Sequence, residues 1–377
     1  MKYEMKKKVC LYDYIYFGHH KNYIIYYTKA LIKIGFEVVL IFPNTKTLKK
    51  EFNSTELQNI FFYEWHFLLK KPIKSIRFKA IYRWFELIYN LKKIKLDYDC
   101  IFIMWLDDFK FTDDHPYVLN SFMFILNNFF RKKWFGINIH QVHFRENLNL
   151  NSIKNKELIL THKKCIGLGI FDENIKNIVS QHVLVPVFIL PDISNLKHSK
   201  NISKKNQIVL PGIAGKRKNV MNFVKTANIS ENENWKFIIA GKLVREDFSE
   251  KELELINSSL KNNKIIITGH IETDYELNNI IIESKLIYAV YEKFPHSSNI
   301  MTKSAAFNTP ILVNNGFLMA ERIKKYGFGL VLDEINIEKK LDNIYALTRQ
   351  IKFESKKYLI NHNNEYLETT LKKILTD

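Results

Sequence analysis

The sequence predicts an α/β protein with two doubly wound domains, each built on a parallel sheet covered by helices. Its 377 residues exceed the size of about 250–300 residues at which single hydrophobic cores stop growing. Apolar runs of strand length alternate with longer periodic segments, in two successive series. A polar, lysine-rich stretch separates the series. The predicted parts are an N-terminal domain at 1–190, a linker at 191–206, a C-terminal domain at 207–350 and terminal helices at 351–377 that pack back on the first domain.

The first series reads as a strand, a helix that ends at Gly35 and a second strand. A third strand, a helix and a fourth strand follow, and two short strands complete the series. In chain order these segments are "KKVCLYDYIYF", "NYIIYYTKALIKIG", "FEVVLIF", "YDCIFIMWL", "SFMFILNNFFRKK", "WFGINIH", "ELILTHKKCIGLG" and "HVLVPVFI".

The second series repeats the alternation of strand and helix. Its segments are "QIVLPG", "NVMNFVKTANI", "WKFIIAG", "EKELELINSSLK", "KIIITG", "DYELNNIIIES", "LIYAVY", "TPILVNN", "FLMAERIKKYG" and "FGLVLDE". Ligands of such sheets bind beyond the carboxyl ends of the strands. We therefore expect the site in a cleft between two facing domains.

The composition restricts the cellular setting. The net charge of +18 favours an anionic partner: nucleic acid, anionic lipid or a phosphorylated substrate. No uncharged apolar run reaches 18 residues, so no membrane span is predicted, and the N-terminal stretch reads as a first strand rather than a signal peptide. Cys10, Cys100 and Cys165 are odd in number and lie in or beside apolar segments. Buried reduced thiols in a cytoplasmic protein are expected.

One candidate site lies in "IVLPGIAGKRKNVMNFVKTA", where a strand ends at Gly212 and a flexible turn leads to a helix. A helix N-terminus offers free N–H groups and the positive end of a dipole. Lys216, Arg217 and Lys218 add three cations there, which predicts a diphosphate site. A solvated basic turn explains the same residues equally well. The turn is not a P-loop, because the G-x-x-x-x-G-K-[ST] pattern is absent.

A second candidate lies in "VYEKFPHSSNIMTKSAAFNTPILV". Glu292 stands at the end of a strand, where its side chain can reach into the cleft. Ser297, Ser298 or Asn299 is expected to cap the next helix and to form, with His296, a second anion cradle. An ordinary capped helix accounts for the serines and the asparagine, but not for Glu292 or His296.

These motifs give the C-terminal half, over about residues 207–335, a family resemblance. It resembles the donor domain of the GT-B glycosyltransferases, in particular the retaining group 1 (family 4-like) class. Five features are shared. In chain order they are a strand followed by a glycine turn with cations, a strand that ends in glycine, a glycine before the base-binding loop, a segment that follows the course of the E-x7-E signature, and the strand that closes the domain. They occur in "LPGIAGKRKN", "FIIAG", "ITGHI", "YEKFPHSSNIMTKSAAFNTPILV" and "FLMAERIKKYGFGLVL".

The resemblance implies roles for individual residues. Lys218 matches the family lysine that neutralises the diphosphate, and Lys216 or Arg217 matches its arginine. Glu292 falls near the first signature glutamate, which contacts the donor sugar. Lys303 falls where the second glutamate holds the ribose hydroxyls, and a lysine cannot accept hydrogen bonds from them. This departure puts the usual ribose contact in doubt.

The resemblance also implies the chemistry. The donor is a nucleotide-diphosphate sugar, and Gly269, His270 and Ile271 lie in the base-binding region. No cofactor or metal is expected, since cations and helix dipoles act at the diphosphate. In retaining members a diphosphate oxygen can take the acceptor proton. An inverting enzyme requires a general base, for which His140, His20 or Asp107 could serve.

The N-terminal half resembles the family only in its overall pattern. Gly18, His19 and His20 in "YFGHHKN" are acceptor-side candidates, although exposed loop histidines are the simpler explanation. In "GINIHQVHFRE", His140 matches a family histidine that faces the reacting sugar, and His143 is placed on the acceptor side. The two could pair on a metal, but no third ligand is evident, so no metal site is predicted.

Two adjacent aspartates form another acceptor-side candidate. Asp107 and Asp108 in "MWLDDFKFTDDHP" are expected to bind acceptor hydroxyls. The alternative is the metal-binding D-x-D motif of the other glycosyltransferase fold, but the motif here reads L-D-D and a second domain follows it.

Residues 66–95 predict a basic amphipathic helix with nine Lys or Arg and one Glu. It suggests an anionic membrane surface, and hence a saccharide or lipid-linked saccharide acceptor in surface glycan synthesis. A helix packed on the sheet, with solvated lysines, explains the pattern as well.

Two other function classes stay open. A same-fold sugar-nucleotide epimerase would need paired acid–base groups in the donor cleft. A non-catalytic protein that binds polyanions or nucleic acid would use the same basic turn, although no recognised nucleic-acid motif is present.

Overall fold

The computed structural model describes residues 6–16, 19–68, 76–111, 116–140, 142–145, 157–229, 235–332 and 353–376. The chain divides into two compact units. The first comprises Met1–Pro191 together with Asn363–Asp377, and the second comprises Asp192–His362. Each is an α/β unit around a parallel sheet, as the alternation of strands and helices predicts.

The first unit contains a seven-stranded sheet in the order β3-β2-β1-β4-β5-β6-β7. All neighbouring strands are parallel, and β1 is central, with Val9 paired to Val38 on one side and to Cys100 on the other. The strands are β1 (Lys8–Tyr12), β2 (Glu37–Phe42), β3 (Ile60–Glu64), β4 (Cys100–Ile103), β5 (Lys133–Asn138), β6 (Cys165–Ile170) and β7 (Val187–Ile189).

Helices connect these strands and cover the sheet. They are α1 (His19–Lys33), α2 (Thr45–Lys49), α3 (Ser54–Leu57), α4 (Ile76–Lys92), α5 (Pro116–Phe129), α6 (Val142–Arg145) and α7 (Lys176–His182). The core beneath α4 is aromatic: Trp84 lies edge-to-face on Phe109, Phe130 and Trp134, and its indole N–H donates to the Phe109 carbonyl at 3.2 Å.

The second unit contains a six-stranded parallel sheet in the order β10-β9-β8-β11-β12-β13. Its strands are β8 (Lys205–Pro211), β9 (Lys236–Ala240), β10 (Ile265–Ile267), β11 (Ser284–Ala289), β12 (Ile311–Asn314) and β13 (Gly329–Leu332). Its helices are α8 (Val220–Ile229), α9 (Glu250–Lys261), α10 (Asp274–Glu283), α11 (Ile300–Ala306), α12 (Leu318–Tyr326) and α13 (Ser355–Asn361). The last helix, α14 (Asn364–Thr376), belongs to the first unit.

The order of strands reverses once in each sheet, between β1 and β4 in the first and between β8 and β11 in the second. At such a point the connections leave in opposite directions and open a crevice at the carboxyl ends of the strands. Each unit therefore has one place where its fold favours ligand binding.

The expected linker at 191–206 is wrong for most of its length. Residues from Asp192 onward belong to the second unit. The buried Asn278 amide donates to the carbonyls of Asn195 and Lys197, both at 2.8 Å, and Ser199 donates its backbone N–H to Asn279. Side chains of α10 thus satisfy this polar backbone and hold it against the unit.

The terminal segment agrees with its prediction only in part. Of the two terminal helices, α13 belongs to the second unit and α14 to the first, so the segment 351–377 does not act as one piece. Lys33 of α1 forms an ion pair with Glu368 of α14 at 2.8 Å. The part of the predicted C-terminal domain from 333 to 350 lies outside the described residues.

Three further segments differ locally from the sequence reading. "ELILT" forms a 3₁₀ turn at Leu158–Thr161, and the strand after it starts at Cys165. In "HVLVPVFI" only Val187–Ile189 is strand. The basic helix expected over 66–95 is helical from Ile76 to Lys92, while 69–75 lies outside the described residues. Over the described parts of the chain, no helix has the length and apolar character needed to cross a bilayer.

Candidate active site

A basic turn joins β8 to α8 at the point where the second sheet reverses its strand order. Gly212 follows the strand with a φ of 77°, in the region that favours glycine. Lys216–Lys218 form one 3₁₀ turn, which Asn219 ends in the left-handed conformation before α8 begins at Val220. The structure therefore places the three cations where the sequence predicts them, between a strand end and the start of a ten-residue helix.

Lys218 folds back over the end of its own strand. Its Nζ donates to the Pro211 carbonyl and lies 5.7 Å from the centre of the Tyr291 ring. Burial, together with the neighbouring Arg217 charge, lowers the pKa of Lys218 to about 8. A bound anion would favour the charged ammonium, so this lysine is suited to respond to a diphosphate.

Arg217 connects the basic turn to the loop after β11. Its carbonyl accepts the Glu292 N–H at 2.8 Å, and its guanidinium carbon lies 4.8 Å from the centre of the Phe294 ring. The connection follows from the sheet, because β8 and β11 are neighbours and both end here. Glu292 is exposed, and its backbone is hydrogen-bonded to the basic turn.

Two glycines allow close packing of the polypeptide around this turn. A Cβ on Gly241, just after β9, would lie 2.3 Å from the Gly212 carbonyl oxygen. A Cβ on Gly215 would lie 2.6 Å from the Asp247 carboxylate, which accepts the Lys216 N–H at 3.1 Å. The approach at Gly241 is between two backbones and requires glycine, whereas the neighbour of Gly215 is the end of a side chain.

The predicted anion cradle of hydroxyls at the start of α11 is wrong for Ser297 and for the capping role. Ser297 Oγ donates to the Asp192 carboxylate and accepts from Arg322, and both contacts lie away from any helix cap. Ser298 hydrogen-bonds through its side chain to Tyr291. Asn299 is the N-cap residue, but its side chain makes no capping hydrogen bond. His296 packs its ring edge-to-face on Phe294 at 5.4 Å.

Lys303 occupies a buried position on α11, with 1% of its surface exposed. Its Nζ pairs with Asp274, the first residue of α10, at 2.6 Å. Burial lowers the pKa of Lys303, and the Asp274 carboxylate opposes this shift. The lysine that stands in the place of a ribose-binding glutamate is thus one half of an ion pair between two helices.

The base-binding candidates lie at the end of β10. Gly269 has a φ of 80°, and the preceding Thr268 donates its N–H to the Ile239 carbonyl at 3.1 Å. His270 is exposed, whereas Ile271 is half-buried against the core. The loop presents one polar and one apolar side chain at the sheet edge.

In the first unit, three aromatic rings lie in a row at the carboxyl ends of β1, β4 and β5. The rings of His20 and Trp105 are 4.3 Å apart, and those of Trp105 and His140 are 5.1 Å apart. His20 Nδ1 is 2.8 Å from the buried carboxylate of Asp13. A carboxylate only accepts hydrogen bonds, so Nδ1 carries a hydrogen, and in the neutral ring Nε2 is then the acceptor.

Asp107 and Asp108 have contacts that the acceptor hypothesis does not include. Asp107 accepts the backbone N–H groups of Ile139 and His140 at 3.0 and 2.8 Å, and burial raises its pKa against the opposing charge of Lys110. Asp108 accepts the Tyr14 hydroxyl and the Lys79 ammonium. The first carboxylate positions the His140 backbone, and the second ties α4 to the end of β1.

Three acceptor-side candidates cannot be placed by their side chains. Gly18 lies outside the described residues, as do the side chains of His19, which opens α1, and His143, which lies in α6. Within the described ranges, no group of three or more His, Cys, Asp or Glu could hold a metal ion.

The sequence reading missed several residues that organise these sites. Asp13 and Trp105 were signalled by their position just after buried strands. Asp192, Asp274 and Arg322 had no such signal, because each finds its partner far along the chain.

Residues 192–363 match the family model described as Glycosyl transferases group 1. Among solved structures, a sucrose-phosphate synthase from Thermosynechococcus elongatus superposes with a TM-score of 0.67 at 11% identity, covering 98% of each chain. Anabaena HepE in complex with UDP and glucose gives 0.65 at 9% identity, covering 98% of this chain and 99% of the other. WaaG, a glycosyltransferase involved in lipopolysaccharide biosynthesis, gives 0.56 at 13% identity, covering 97% of each.

No curated protein sequence matches the chain significantly. The structural matches have low identity and therefore establish the fold, while the family match covers the unit that carries the basic turn and Glu292. Residues 192–363 thus match the group 1 glycosyl transferases, the whole chain has the GT-B fold, and the two findings together support a glycosyltransferase.

Proposed function

We propose that the protein transfers a sugar from a nucleotide-diphosphate sugar to a saccharide or lipid-linked saccharide in surface glycan synthesis. The observation that carries this proposal is the meeting of the basic turn with Glu292 at the strand-order reversal of the second sheet. Lys216, Arg217 and Lys218 would bind the diphosphate, and Glu292 would contact the sugar. The complex of Anabaena HepE with UDP and glucose makes a uridine nucleotide the first candidate.

The cations supply the chemistry at the leaving group. The bond between the anomeric carbon and the diphosphate oxygen breaks as the acceptor oxygen bonds to that carbon. Negative charge grows on the diphosphate, where positioned cations and N–H groups stabilise it without a metal or cofactor. We favour retention, in which a diphosphate oxygen takes the acceptor proton.

The Asp13–His20 pair supports the inverting alternative. Its arrangement leaves His20 Nε2 able to take the proton from the acceptor hydroxyl, with Asp13 holding the ring. NMR of the first-formed product distinguishes the two courses. If the product keeps the donor's anomeric configuration, His20 is not the base for an inverting displacement. If the configuration is inverted, retention is wrong.

Nucleotide titration tests the donor. UDP, GDP, CMP and dTDP, free and sugar-linked, are titrated calorimetrically against the full chain. We expect one nucleotide to bind tightly and Lys218→Ala to weaken it at least tenfold. Lys225→Ala, which removes an exposed lysine of α8, serves as the control and should bind normally. Absence of binding for every nucleotide would overturn the proposal.

The acceptor side of the proposal rests on an exposed face of the first unit. Phe85 on α4 and Phe124 and Phe129 on α5 are 46%, 72% and 78% exposed. The Phe85 ring lies 6.0 Å from the Phe122 ring of α5, so α4 and α5 pack together at this point. Large aromatic side chains with this much exposure are candidates for contact with a partner or a membrane.

Cations border the aromatic face. The exposed residues near the ends of α4 and α5 include Lys92, Lys93, Lys95, Arg131 and Lys133, with Lys93 Nζ 4.3 Å from the centre of the Tyr89 ring. Asp97 lies among them and is paired with Lys132. Aromatic side chains next to excess positive charge suit the surface of an anionic bilayer. We propose that this face binds the cytoplasmic leaflet and brings the enzyme to a lipid-linked acceptor.

Vesicle co-sedimentation tests the surface. Wild-type protein should bind vesicles of phosphatidylglycerol and phosphatidylcholine at low salt and bind far less to phosphatidylcholine alone. The double variant Phe124→Ser/Phe129→Ser should lose most of this binding. Ile360→Ser, which removes an exposed apolar side chain of the second unit, should retain it. Failure of the wild type to bind anionic vesicles would remove the membrane part of the proposal.

A further inference from the structure

Arg322 of α12 is completely buried in the second unit. Its guanidinium donates to the Asp192 carboxylate and to the Ser297 hydroxyl, and that hydroxyl donates to the same carboxylate. The three side chains thus contact one another in a ring of charged and polar groups. None of the three was expected from the sequence to serve this purpose.

Asp192 continues the set through its backbone. Its N–H donates to His362 Nδ1 at 3.0 Å, and its carbonyl accepts the Thr302 hydroxyl at 2.7 Å. The His362 ring stacks on Tyr358 with centres 4.0 Å apart. Burial and the Arg322 and Lys325 charges lower the pKa of His362 well below its ordinary value, so Nδ1 is free of a proton and accepts.

The residues of this cluster occupy special places in the chain. Asp192 and His362 are the first and last residues of the second unit, where the chain enters it and leaves it. Ser297 lies in the loop after β11 that also carries Glu292, beside the basic turn. One buried cluster therefore connects both chain crossings to the loop of the candidate donor site.

Stability alone does not account for such a cluster. Taking an ion pair out of water costs free energy that its Coulomb attraction often fails to recover, and apolar residues of equal volume can be as stable. A buried charged network does, however, fix one arrangement of the groups it joins. The arrangement fixed here is that of residues 192 and 362 relative to Ser297.

We propose that Arg322 is a positioning residue that couples the donor site to the two chain crossings. A nucleotide diphosphate held by the basic turn makes the loop from Glu292 to Ser297 more rigid. The hydrogen bonds that join Ser297 to Arg322 and Asp192, and Asp192 to His362, extend this rigidity to the chain crossings. This coupling rests on the proposed function, because its ligand is the nucleotide of the proposed donor site. The two-state element is the Asp192–His362 contact, whose opening the nucleotide disfavours.

Hydrogen exchange of the full chain, with and without saturating UDP, GDP or dTDP, tests the coupling. In the wild type, the bound nucleotide should slow amide exchange several-fold at residues 190–194 and 358–363, as well as at 292–298. In Ser297→Ala and in Arg322→Met, protection at 292–298 should persist at saturation, and protection at the crossings should be lost. Ser297→Ala keeps the Arg322–Asp192 ion pair and so remains informative if Arg322→Met does not fold.

Ser304→Ala is the matched control. It removes a buried hydroxyl of α11 that donates to the Thr309 carbonyl, outside the cluster, and should keep the nucleotide-induced protection. Binding without any protection at the crossings of the wild type overturns the coupling alone. Protection at the crossings that survives both cluster variants also overturns it. Absence of binding by every nucleotide removes the proposed function, and the coupling with it.

Discussion

Two lysines of the second unit show how surroundings decide what one side chain does. Lys218 lies at a strand end, where its ammonium contacts the Pro211 carbonyl and the Tyr291 ring. Neither of these two described contacts is with a carboxylate. Lys303 lies in the interior and has Asp274 at 2.6 Å. Burial lowers both pKa values, but only Lys303 has a carboxylate that opposes the shift. The first is therefore suited to an incoming anion, and the second to holding two helices together.

Nucleotide affinity should depend on pH through Lys218. Its pKa of about 8 means that the ammonium loses its proton above that pH in the free protein. A diphosphate binds the charged form, so affinity should fall by up to about tenfold per pH unit above 8. In Lys218→Arg the guanidinium stays charged and the fall should disappear. Calorimetric titration from pH 6.5 to 9.5 measures this, with Lys225→Arg as control. An equal fall in Lys218→Arg would contradict the assignment.

Reversing the charge of Lys303 should destabilise the second unit. Lys303→Glu places a buried carboxylate next to Asp274, and losing a buried pair costs about 3–5 kcal/mol. The double variant Lys303→Glu/Asp274→Lys should recover most of the loss. Urea unfolding measures both changes, and the exposed Lys225→Glu should shift stability by less than about 1 kcal/mol. A double variant no more stable than Lys303→Glu would show that the pairing does not matter.

At this scale, the sequence predicts residues that lie next to strand ends. Glu292 meets the basic turn because β8 and β11 are neighbours, a pairing that the alternation of strands and helices does not by itself specify. The sequence offers Ser297, Ser298 or Asn299 as the cap of α11, since serine and asparagine before a helix often cap it. The actual partners of Ser297 are Asp192 and Arg322, which come from distant parts of the chain, and no local pattern announces them.

At the level of elements, the carboxyl edge of the second sheet depends on how closely β8 and β9 approach. Gly212 and Gly241 follow these strands, and their backbones nearly touch. The basic turn rests on this contact, because Gly212 begins the turn. The spacing of β8 and β9 therefore sets the position of the cations of the basic turn.

Gly241→Ala tests this dependence. The added Cβ would lie 2.3 Å from the Gly212 carbonyl oxygen, so the backbone must shift, at a cost of about 1–3 kcal/mol. We expect lower stability and at least fivefold weaker nucleotide binding. Gly316→Ala shares the strain of a positive φ but meets no atom within 4 Å, and it should leave binding unchanged. Stability and binding are measured together; unchanged binding in Gly241→Ala would contradict the expected link.

Elements with strong patterns were the most predictable. Buried strands such as β1 and β2 are continuous apolar runs, and α1 ends as expected before Gly35. "ELILT" was misread because a short apolar run fits a strand or a tight turn equally well. The polar stretch after Pro191 looked like a linker, because its composition does not reveal that Asn278 binds its carbonyls.

At the scale of the whole molecule, the chain starts in the first unit, builds the second and returns to the first. The return is made by α14, whose Leu367, Leu371 and Ile374 are buried. The helix packs on α1, so the first unit is completed only by the end of the chain. The sequence indicated two domains and terminal helices that pack back on the first, which holds for α14 but not for α13.

Weakening α14 should therefore affect the first unit most. Leu371→Ala removes a fully buried side chain and should cost about 2–5 kcal/mol. Exchange should accelerate in α1, while α8 and α11 keep their protection. The exposed Lys372→Ala on the same helix should be nearly silent. Urea unfolding and hydrogen exchange measure these effects, and a loss below about 1 kcal/mol would contradict the closing role of α14.

The hydrogen bond between Asp192 and His362 bears on how the chain could have been assembled and on how its first unit could be isolated. It places the two ends of a 171-residue unit next to each other, as in a domain inserted into a host at a single point. Pro191 and Asn363, the residues of the first unit that flank the second, are covalently bonded to Asp192 and His362. They must therefore also be close to each other. A short glycine–serine bridge between them should yield the first unit as a separate folded protein, available for vesicle studies without the second unit.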